Sequence, residues 1–584
     1  MTGSSAFLGV ETSATGRRWV GLSEAQDRLA QMIAQQAVLP DILSRTLARR
    51  GVQPLDAALF LAPALRDLMP DPSIFRDMDK AAERIHAAAR TRQRIAIFAD
   101  YDVDGGSSGA LLLDWLRQQG QDATLYVPDR ITEGYGPNPP AMANLAANHD
   151  LIICVDCGTL SHDAIDAAKG ADVIVLDHHT GGETLPPALA VVNPNRQDED
   201  NEFGYLCAAG VVFMTLVAVN RLMRNAGEKT PELMGMLDLV ALATVADVAP
   251  LIGLNRALVR QGLTVMGRRN RVGLAALADV GRLTTAPTSY HLGFVLGPRI
   301  NAGGRIGKAD LGARLLACTD PHEASAMADQ LNLLNDERRE VEAQVRLKAM
   351  EQAEARGFDA PLVWAAGKDW HPGVVGIVAA RLKEASNRPT VVIGLEDGIG
   401  KGSGRSVSGI DLGAAVATCT REGLFEKGGG HKMAAGLTVA EDQLEAAMAR
   451  LSDLLGKQGA GEIGPKDLEL NGTIQPTAIT TELIEQLETA GPYGAGAAAP
   501  RFALPAQRIA FAKRAGENHL RLTAQDANGG RIDAIAFGAF DTELGPLIEG
   551  HKGRLIHLAG RLEIDEWGGR RRAKLRLEDA ALAE

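Results

Sequence analysis

Aromatic residues are scarce in this sequence, 4% of its 584 positions, and only five residues are cysteine (Cys154, Cys157, Cys207, Cys318, Cys419). Five scattered thiols cannot staple a chain of this size, which excludes a disulfide scaffold and implies a reducing compartment. Positive charge is not in surplus either, since the formal net charge is -12. Phosphate binding relies on clustered Lys and Arg, so indiscriminate coating of nucleic acid is excluded and only local patches remain for it. The longest apolar run, Leu206 to Val219, is shorter than the roughly 20 residues that span a bilayer. The N-terminal stretch lacks a basic start followed by an apolar core, so it carries no secretory signal. These absences predict a cytoplasmic protein with no membrane attachment. What is present, 46% hydrophobic and 23% charged residues, is the balance of an ordinary globular protein. At roughly 150 residues per domain the length suggests three or four domains.

From Arg94 short β-rich runs alternate with helical patterns: RIAIFADYD, GALLLDWLRQQG, LIICVDCG, HDAIDAAKG, ADVIVLDHH. That rhythm predicts a parallel sheet covered by helices, with ligands gathering beyond the carboxyl ends of the strands. A strong helix start follows, with Asp320 as N-cap, Pro321 at the first helical position and Glu323 completing a capping box. Its period persists through Met327, Leu331, Leu334, Val341 and Val345 to about Arg356, where Gly357 can end it. Beyond lie further strand candidates, APLVWAAG and TVVIGL, with a helical stretch between them, and then the Gly-rich linker GKQGAGEIGPKD. After it the pattern is mainly strand-like, as in a small β-barrel. The expected α/β architecture has an N-terminal segment over 1–70, a parallel-sheet domain over 71–318 and a connecting helix over 319–357. A second α/β domain over 358–456 and a barrel of oligonucleotide-binding type over 466–584 complete it. The role of residues before about Asp71 is left open.

Three strand ends carry the chemistry. Asp100, Asp102 and Asp104 stand in ADYDVDGG, where a buried strand enters a loop before a helix. Carboxylates so close repel one another unless a cation neutralises them. An EF-hand calcium loop also opens D-x-D-x-D-G, but its twelfth position would here be Leu111, and a strand precedes the motif where a helix should. A solvated acidic turn is the bland alternative. Asp156 ends the strand IICV and Asp177-His178-His179 ends VIVL; a fourth candidate, Asp247, follows a strongly apolar helix-like stretch. Each alone could merely cap a helix, whereas three in one βαβ series point to a shared site. Carboxylates with imidazole suit a hard to borderline cation and favour Mn²⁺ over Mg²⁺, with zinc still open. Five or so ligands leave room for two ions, the arrangement that activates water and stabilises a leaving oxygen in phosphoester hydrolysis. Cys154 and Cys157 form a C-x-x-C, but no second pair exists to complete a zinc site.

These motifs resemble the DHH phosphoesterase superfamily, matching in order DYDVDG, the Asp156 strand end, Asp177-His178-His179 and the Asp247 segment. GPRINAGGRIG (Gly297 to Gly307), KGSGRS (Lys401 to Ser406), GGGHKMAAG (Gly428 to Gly436) and GPYGAG (Gly491 to Gly496) narrow the likeness to the RecJ family of bacterial exonucleases, from about Asp71 onward. KGSGRS and GGGHKMAAG belong to that family's DHHA1 domain. The resemblance implies Asp102, Asp104, Asp156, His178 and Asp247 as ligands of two Mn²⁺ or Mg²⁺ ions. It implies catalytic support or contact with the scissile phosphate from Asp100, Asp177 and His179. It places a 5′ phosphate against Arg130, Ser403 and Arg405, with Arg299 or Arg305 added, and sets Tyr135 to stack on or block the terminal nucleotide. The activity so implied is 5′ to 3′ hydrolysis of single-stranded DNA to mononucleotides in repair and recombination. The implied partners are single-stranded DNA, single-strand-binding protein and a RecQ-type helicase, and the implied state is a monomer.

The chemistry of the positions agrees. Ser403-Gly404-Arg405 offers a hydroxyl, a flexible backbone and a forked guanidinium. Gly428-Gly429-Gly430-His431 could present backbone N–H groups to further phosphates as an anion nest. A tight turn is the alternative for each Gly-rich piece. One departure from relatives is Ala497-Ala498-Ala499-Pro500, where a more polar stretch is usual, which puts a DNA contact there in doubt. The run Arg570, Arg571, Arg572, Lys574 and Arg576 supplies a local basic patch beside Trp567, able to stack on a base or to be a solvated hairpin. A phosphodiesterase of short oligonucleotides or cyclic dinucleotides is the competing function. It needs no barrel.

Overall fold

The computed structural model describes residues 6–130, 132–462, 467–566 and 570–583. The catalytic sheet is five-stranded and parallel, in the order Thr124–Tyr126, Ile95–Ala99, Leu151–Val155, Asp172–Leu176, Ala190–Val192. Its central strands are apolar apart from Asp172 at the start of one, because helices cover both faces. Ile95, Ile97 and Ala99 point into the larger core with the helices Met78–Arg90, Val103–Gln118 and Ala208–Asn225. Ala96 and Phe98, on the opposite face, pack with Met142 and Leu145 of the helix Pro139–Asn148 and with Ile165 of the helix His162–Asp166. Loops carrying the acidic residues leave the carboxyl ends of these strands together.

A helix of 36 residues, Pro321–Arg356, runs from this domain to the next. Asp320 accepts hydrogen bonds from the His322 and Glu323 N–H groups at 2.8 and 2.9 Å. That is one half of the expected capping box; among the described residues the Glu323 side chain does not return the bond. Gly357 ends the helix with φ of +86°, a left-handed conformation that costs glycine little.

The second domain has a mixed five-stranded sheet in the order Lys427–His431, Ala434–Ala440, Ile399–Arg405, Thr390–Glu396, Val363–Lys368. Two expected Gly-rich loops are therefore strands. KGSGRS lies in mid-sheet, paired on both sides. GGGH is an edge strand whose residues are paired with Ala434–Leu437, in place of the expected loop. The physical reason is layer spacing. A Cβ on Gly402 would come within 2.8 Å of Leu437, and one on Gly404 within 2.7 Å of Leu412, so glycine lets the apolar layer close on one face. Ser403 and Arg405 alternate onto the other face, towards the helix Pro372–Ser386, where a Cβ on Gly376 would meet Ser403 Oγ at 3.0 Å and Arg405 at 3.1 Å.

The C-terminal barrel closes from five strands, Phe502–Ala515, His519–Gln525, Arg531–Ala536, Arg572–Leu582 and Ile556–Asp565, the last pairing back to the first. Its core is shared with the start of the chain: Ala30, Ile33, Leu43 and Leu47 pack with Ile474, Leu487, Phe502 and Leu558. Trp19 is fully buried, its strand Trp19–Val20 pairs with Leu468–Glu469, and its indole N–H donates to Asp579 at 2.9 Å. GPYGAG and the alanines after it anchor the barrel to the catalytic domain. Leu251 N–H donates to Ala495 O at 2.8 Å, Ser289 Oγ to Tyr493 O at 2.6 Å and Arg256 to the carbonyls of Phe60, Thr489 and Gly491. Much of the basic run is neutralised: Arg571 pairs with Glu485 and Glu566, Lys574 with Asp565 and Arg576 with Glu563. Trp567 lies outside the described residues. Among the described residues no helix is long and apolar enough to cross a membrane.

Candidate metal centre and the cleft opposite it

Asp102 caps the helix Val103–Gln118 and accepts from the N–H groups of Asp104 at 2.8 Å and Gly105 at 3.1 Å. Asp104, two residues on, accepts from Ala208 N–H at 2.7 Å and Ala209 N–H at 2.8 Å, the first turn of Ala208–Asn225. A helix N-terminus thus fixes this carboxylate. Asp156 ends its strand with φ of +61°, a left-handed conformation that asparagine and aspartate tolerate better than other side chains. Asp247 closes the helix Leu237–Ala246 from the far side of the same pocket.

These residues converge. His178 Nε2 stands 3.2 Å from Asp156 Oδ1 and 3.7 Å from Asp104 Oδ2, and its Nδ1 is 3.9 Å from Asp247 Oδ2. Three donor sets each gather within 4.8 Å: Asp104 with His178 and Asp247, Asp156 with His178 and His179, and Asp100 with Asp102 and Asp156. Shared members make two adjacent cation positions possible. The donors fit such ions on independent grounds. Asp100 Oδ1 and Asp156 Oδ1 are buried and take no hydrogen bond, a costly state for a carboxylate unless a cation completes it. Burial first, then the neighbouring carboxylates, push Asp100, Asp104 and Asp156 upward. The same causes push Asp247 up to about 8.

Asp177 behaves differently. Its Oδ2 accepts from Thr159 N–H and Oγ1–H at 3.1 and 2.6 Å, and its Oδ1 from the His178 and His179 N–H groups and from the His179 ring at 2.8 Å. Although burial opposes it, this set holds Asp177 below the ordinary carboxylate range. Both oxygens are occupied, so Asp177 orients His179. Burial also opposes the charge on His179, but the Asp177 bond and the surrounding carboxylates raise it to about 9. The Tyr135 hydroxyl lies 3.2 Å from the His179 ring nitrogens and donates to Asp156 O at 3.1 Å, while the residue remains 55% exposed.

Basic residues face this acidic centre. Arg305 is driven down to about 10 by burial and then by Arg130 and Arg338, and Arg405 is lowered by burial and Arg130. Arg130 therefore neighbours both. Arg405 donates to Ser403 Oγ at 3.0 Å. His431 is exposed in the edge strand, paired with Ala434, which in turn pairs with Arg405. Arg299 donates through Nε to Asn332 of the connecting helix at 3.0 Å and through Nη1 to Val295 O at 2.7 Å.

Sequence reasoning missed the supports. Asn193 donates to Thr159 Oγ1 at 2.9 Å and His179 O at 2.8 Å, and Asn195 to His178 O at 2.6 Å, so the Asn193-Pro194-Asn195 turn pins the histidine backbone. The signal was available, because this turn is a fourth polar ending directly after the strand Ala190–Val192. Asn301 accepts from Val103 N–H at 3.1 Å and ties GPRINAGGRIG, a helix over Gly297–Ile306, to the Asp102 loop.

Known proteins match the same regions. The DHH family, N-terminal domain, matches residues 94–244, the DHHA1 domain 359–457 and the RecJ OB domain 470–579. A single-stranded-DNA-specific exonuclease RecJ from Dickeya dadantii is 38% identical over 569 residues, covering 92% of this chain and 96% of that protein. The protein of that name from Escherichia coli is 35% identical over 567 residues, covering 93% and 96%. Among solved structures, RecJ from Thermus thermophilus in complex with Mn²⁺ aligns with a TM-score of 0.80 at 29% identity, over 96% of this chain and 79% of that one.

Proposed function

Because the chain belongs to the RecJ family of single-stranded-DNA-specific exonucleases, we propose that it binds the 5′ end of a single strand across the cleft and hydrolyses it nucleotide by nucleotide. It is a single-stranded-DNA exonuclease that works with Mn²⁺ or Mg²⁺. The observation that carries the 5′ polarity is the pairing of an acidic centre with Arg130, Arg305 and the Ser403–Arg405 strand opposite it.

Asp102, Asp104, Asp156, His178 and Asp247 would hold the ions, with Asp100 beside them. Divalent cations there supply Lewis-acid charge to the phosphoryl oxygens and make water more acidic. Arg130, Ser403 and Arg405 grip a terminal phosphate with forked and hydroxyl donors, which sets the next phosphodiester over the carboxylates. His179, kept protonated by Asp177, donates to a non-bridging oxygen of that phosphodiester as charge builds on it. Tyr135 flanks His179 and blocks advance of the terminal nucleotide. His431 at the edge strand lies next along the path.

The domain limits that go with this reading are 71–318, 358–456 and 466–584, joined by the helix over 319–357. All five cysteines are free, which supports a cytoplasmic setting. A monomer served by single-strand-binding protein and a RecQ-type helicase suits an enzyme that needs unwound ends. With Mn²⁺, the purified protein should degrade 5′-phosphorylated single strands and spare blunt duplex, and Asp156→Ala should abolish cleavage while DNA binding persists. Preference for cyclic dinucleotides, or full activity in that variant, overturns the proposal.

A further inference from the structure

Tyr101 stands between Asp100 and Asp102, and its ring lies beneath the Arg130 guanidinium, 5.2 Å from the ring centroid. From behind, the helix Gly297–Ile306 presses close. A Cβ on Gly304 would come within 2.9 Å of Tyr101 O and 3.3 Å of Tyr101 Cβ and Cδ2, so even a methyl group there would displace Tyr101. Arg130 needs a seat of this kind. Its charge lowers Arg305, Arg405 and His371, so each of these repels it when protonated, while the buried Asp100 carboxylate attracts it when ionised. Among the described residues it makes no ion pair of its own, and its guanidinium rests on the Tyr101 face. A long flexible cation with several other cations around it and no hydrogen-bonded carboxylate partner turns outward into water unless a surface holds it.

We propose that Tyr101 is a positioning residue whose ring face keeps the Arg130 guanidinium turned into the cleft, so that the receptor for the terminal phosphate is organised before DNA arrives. The inference rests on the assignment of Arg130 to that phosphate. Its basis is the electron-rich face of an aromatic ring, which attracts a guanidinium without neutralising it. The charge therefore stays available to the substrate. A carboxylate in the same place would hold Arg130 as firmly and cancel it.

The test is the ratio of kcat/KM for a 5′-phosphorylated single strand to that for its 5′-hydroxyl counterpart, measured with Mn²⁺ on the full chain. Tyr101→Leu should lower the ratio roughly fivefold or more, the size of one cation–π contact. Tyr101→Phe, which keeps the ring face, should retain it. Both variants should keep the rise in Tm that Mn²⁺ produces, which shows an intact metal centre. In an Arg130→Ala background, Tyr101→Leu should change the ratio no further. An unchanged ratio in Tyr101→Leu while Arg130→Ala loses it overturns the positioning role alone. A fall in Tyr101→Phe as large as in Tyr101→Leu, or a further fall in the double variant, also overturns it. A wild-type ratio in Arg130→Ala sinks the phosphate assignment and the role of Tyr101 with it.

Discussion

Asp156 combines a left-handed backbone and burial with an Oδ1 that takes no hydrogen bond and faces the His178 imidazole at 3.2 Å, costs that a bound cation would help to offset. Its neighbours share the problem, and the consequence is measurable as pH dependence. Asp247 stands at about 8 in the fold against an ordinary carboxyl near 4. Between those values the folded protein holds a proton that the unfolded chain releases, so without metal its stability falls as pH rises across that window. Asp100, Asp104 and Asp156 act in the same direction, and His179, raised to about 9, extends the fall upward. Mn²⁺ requires the ionised forms, so its stabilising effect should grow over the same range. Thermal melts in EDTA and in Mn²⁺ between about pH 5 and pH 8 check this; a pH-independent Mn²⁺ shift would contradict it. Asp177 has the opposite sign and belongs to the scaffold. Asp177→Asn turns an amide donor towards donors, which should cost about 1–3 kcal/mol of stability and most of the activity. Urea unfolding beside single-turnover kinetics measures both.

The strand Ile399–Arg405 divides labour by alternation. Gly402→Val should overpack against Leu437 and Ile393 and lower stability by about 1–3 kcal/mol. Ser403→Ala, one residue on, should leave the thermal transition in place and reduce the preference for 5′-phosphorylated ends. A calorimetric scan and an end-group competition separate the two outcomes. This strand was illegible as a strand because its period is written in missing side chains: glycine is a poor strand former, and the alternation K-G-S-G-R appears only once the opposing Leu437 and Leu412 are known. The catalytic sheet was legible for the opposite reason. Ile95–Ala99, Leu151–Val155 and Val173–Leu176 are continuous apolar runs that are each followed by acid, and their apolar character follows from burial on two faces. Of the candidate site, the carboxylates and histidines were picked out by their places at the ends of apolar strands, and their separate roles only by the family resemblance. Asn193 and Asn195 were signalled only by their place after a fourth strand, and Thr159 by nothing, because hydrogen bonds to the His178 and His179 carbonyls and to the Asp177 carboxylate need no fixed distance in sequence.

At the scale of the molecule, the barrel is not an appendage. It shares one core with the first residues of the chain, and Arg256 and the Tyr493 region tie it to the catalytic domain. Trp19→Ala should therefore destabilise the barrel by about 3–5 kcal/mol through lost burial and the loss of one of the donors to the buried Asp579 carboxylate. Calorimetry should show that transition moving down while the Mn²⁺-protected transition of the catalytic domain stays. Trp19 and Asp579 are 560 positions apart, and this separation bears on how the protein is made. At roughly 5–20 residues per second, a ribosome exposes Trp19 on the order of a minute before Asp579 follows. The cutting machinery is complete within that interval, while the surface that first left the exit tunnel still waits for its last strand. Newly made chains thus pass through a stage with an assembled centre and a bare apolar flank, the form that a holding chaperone would bind.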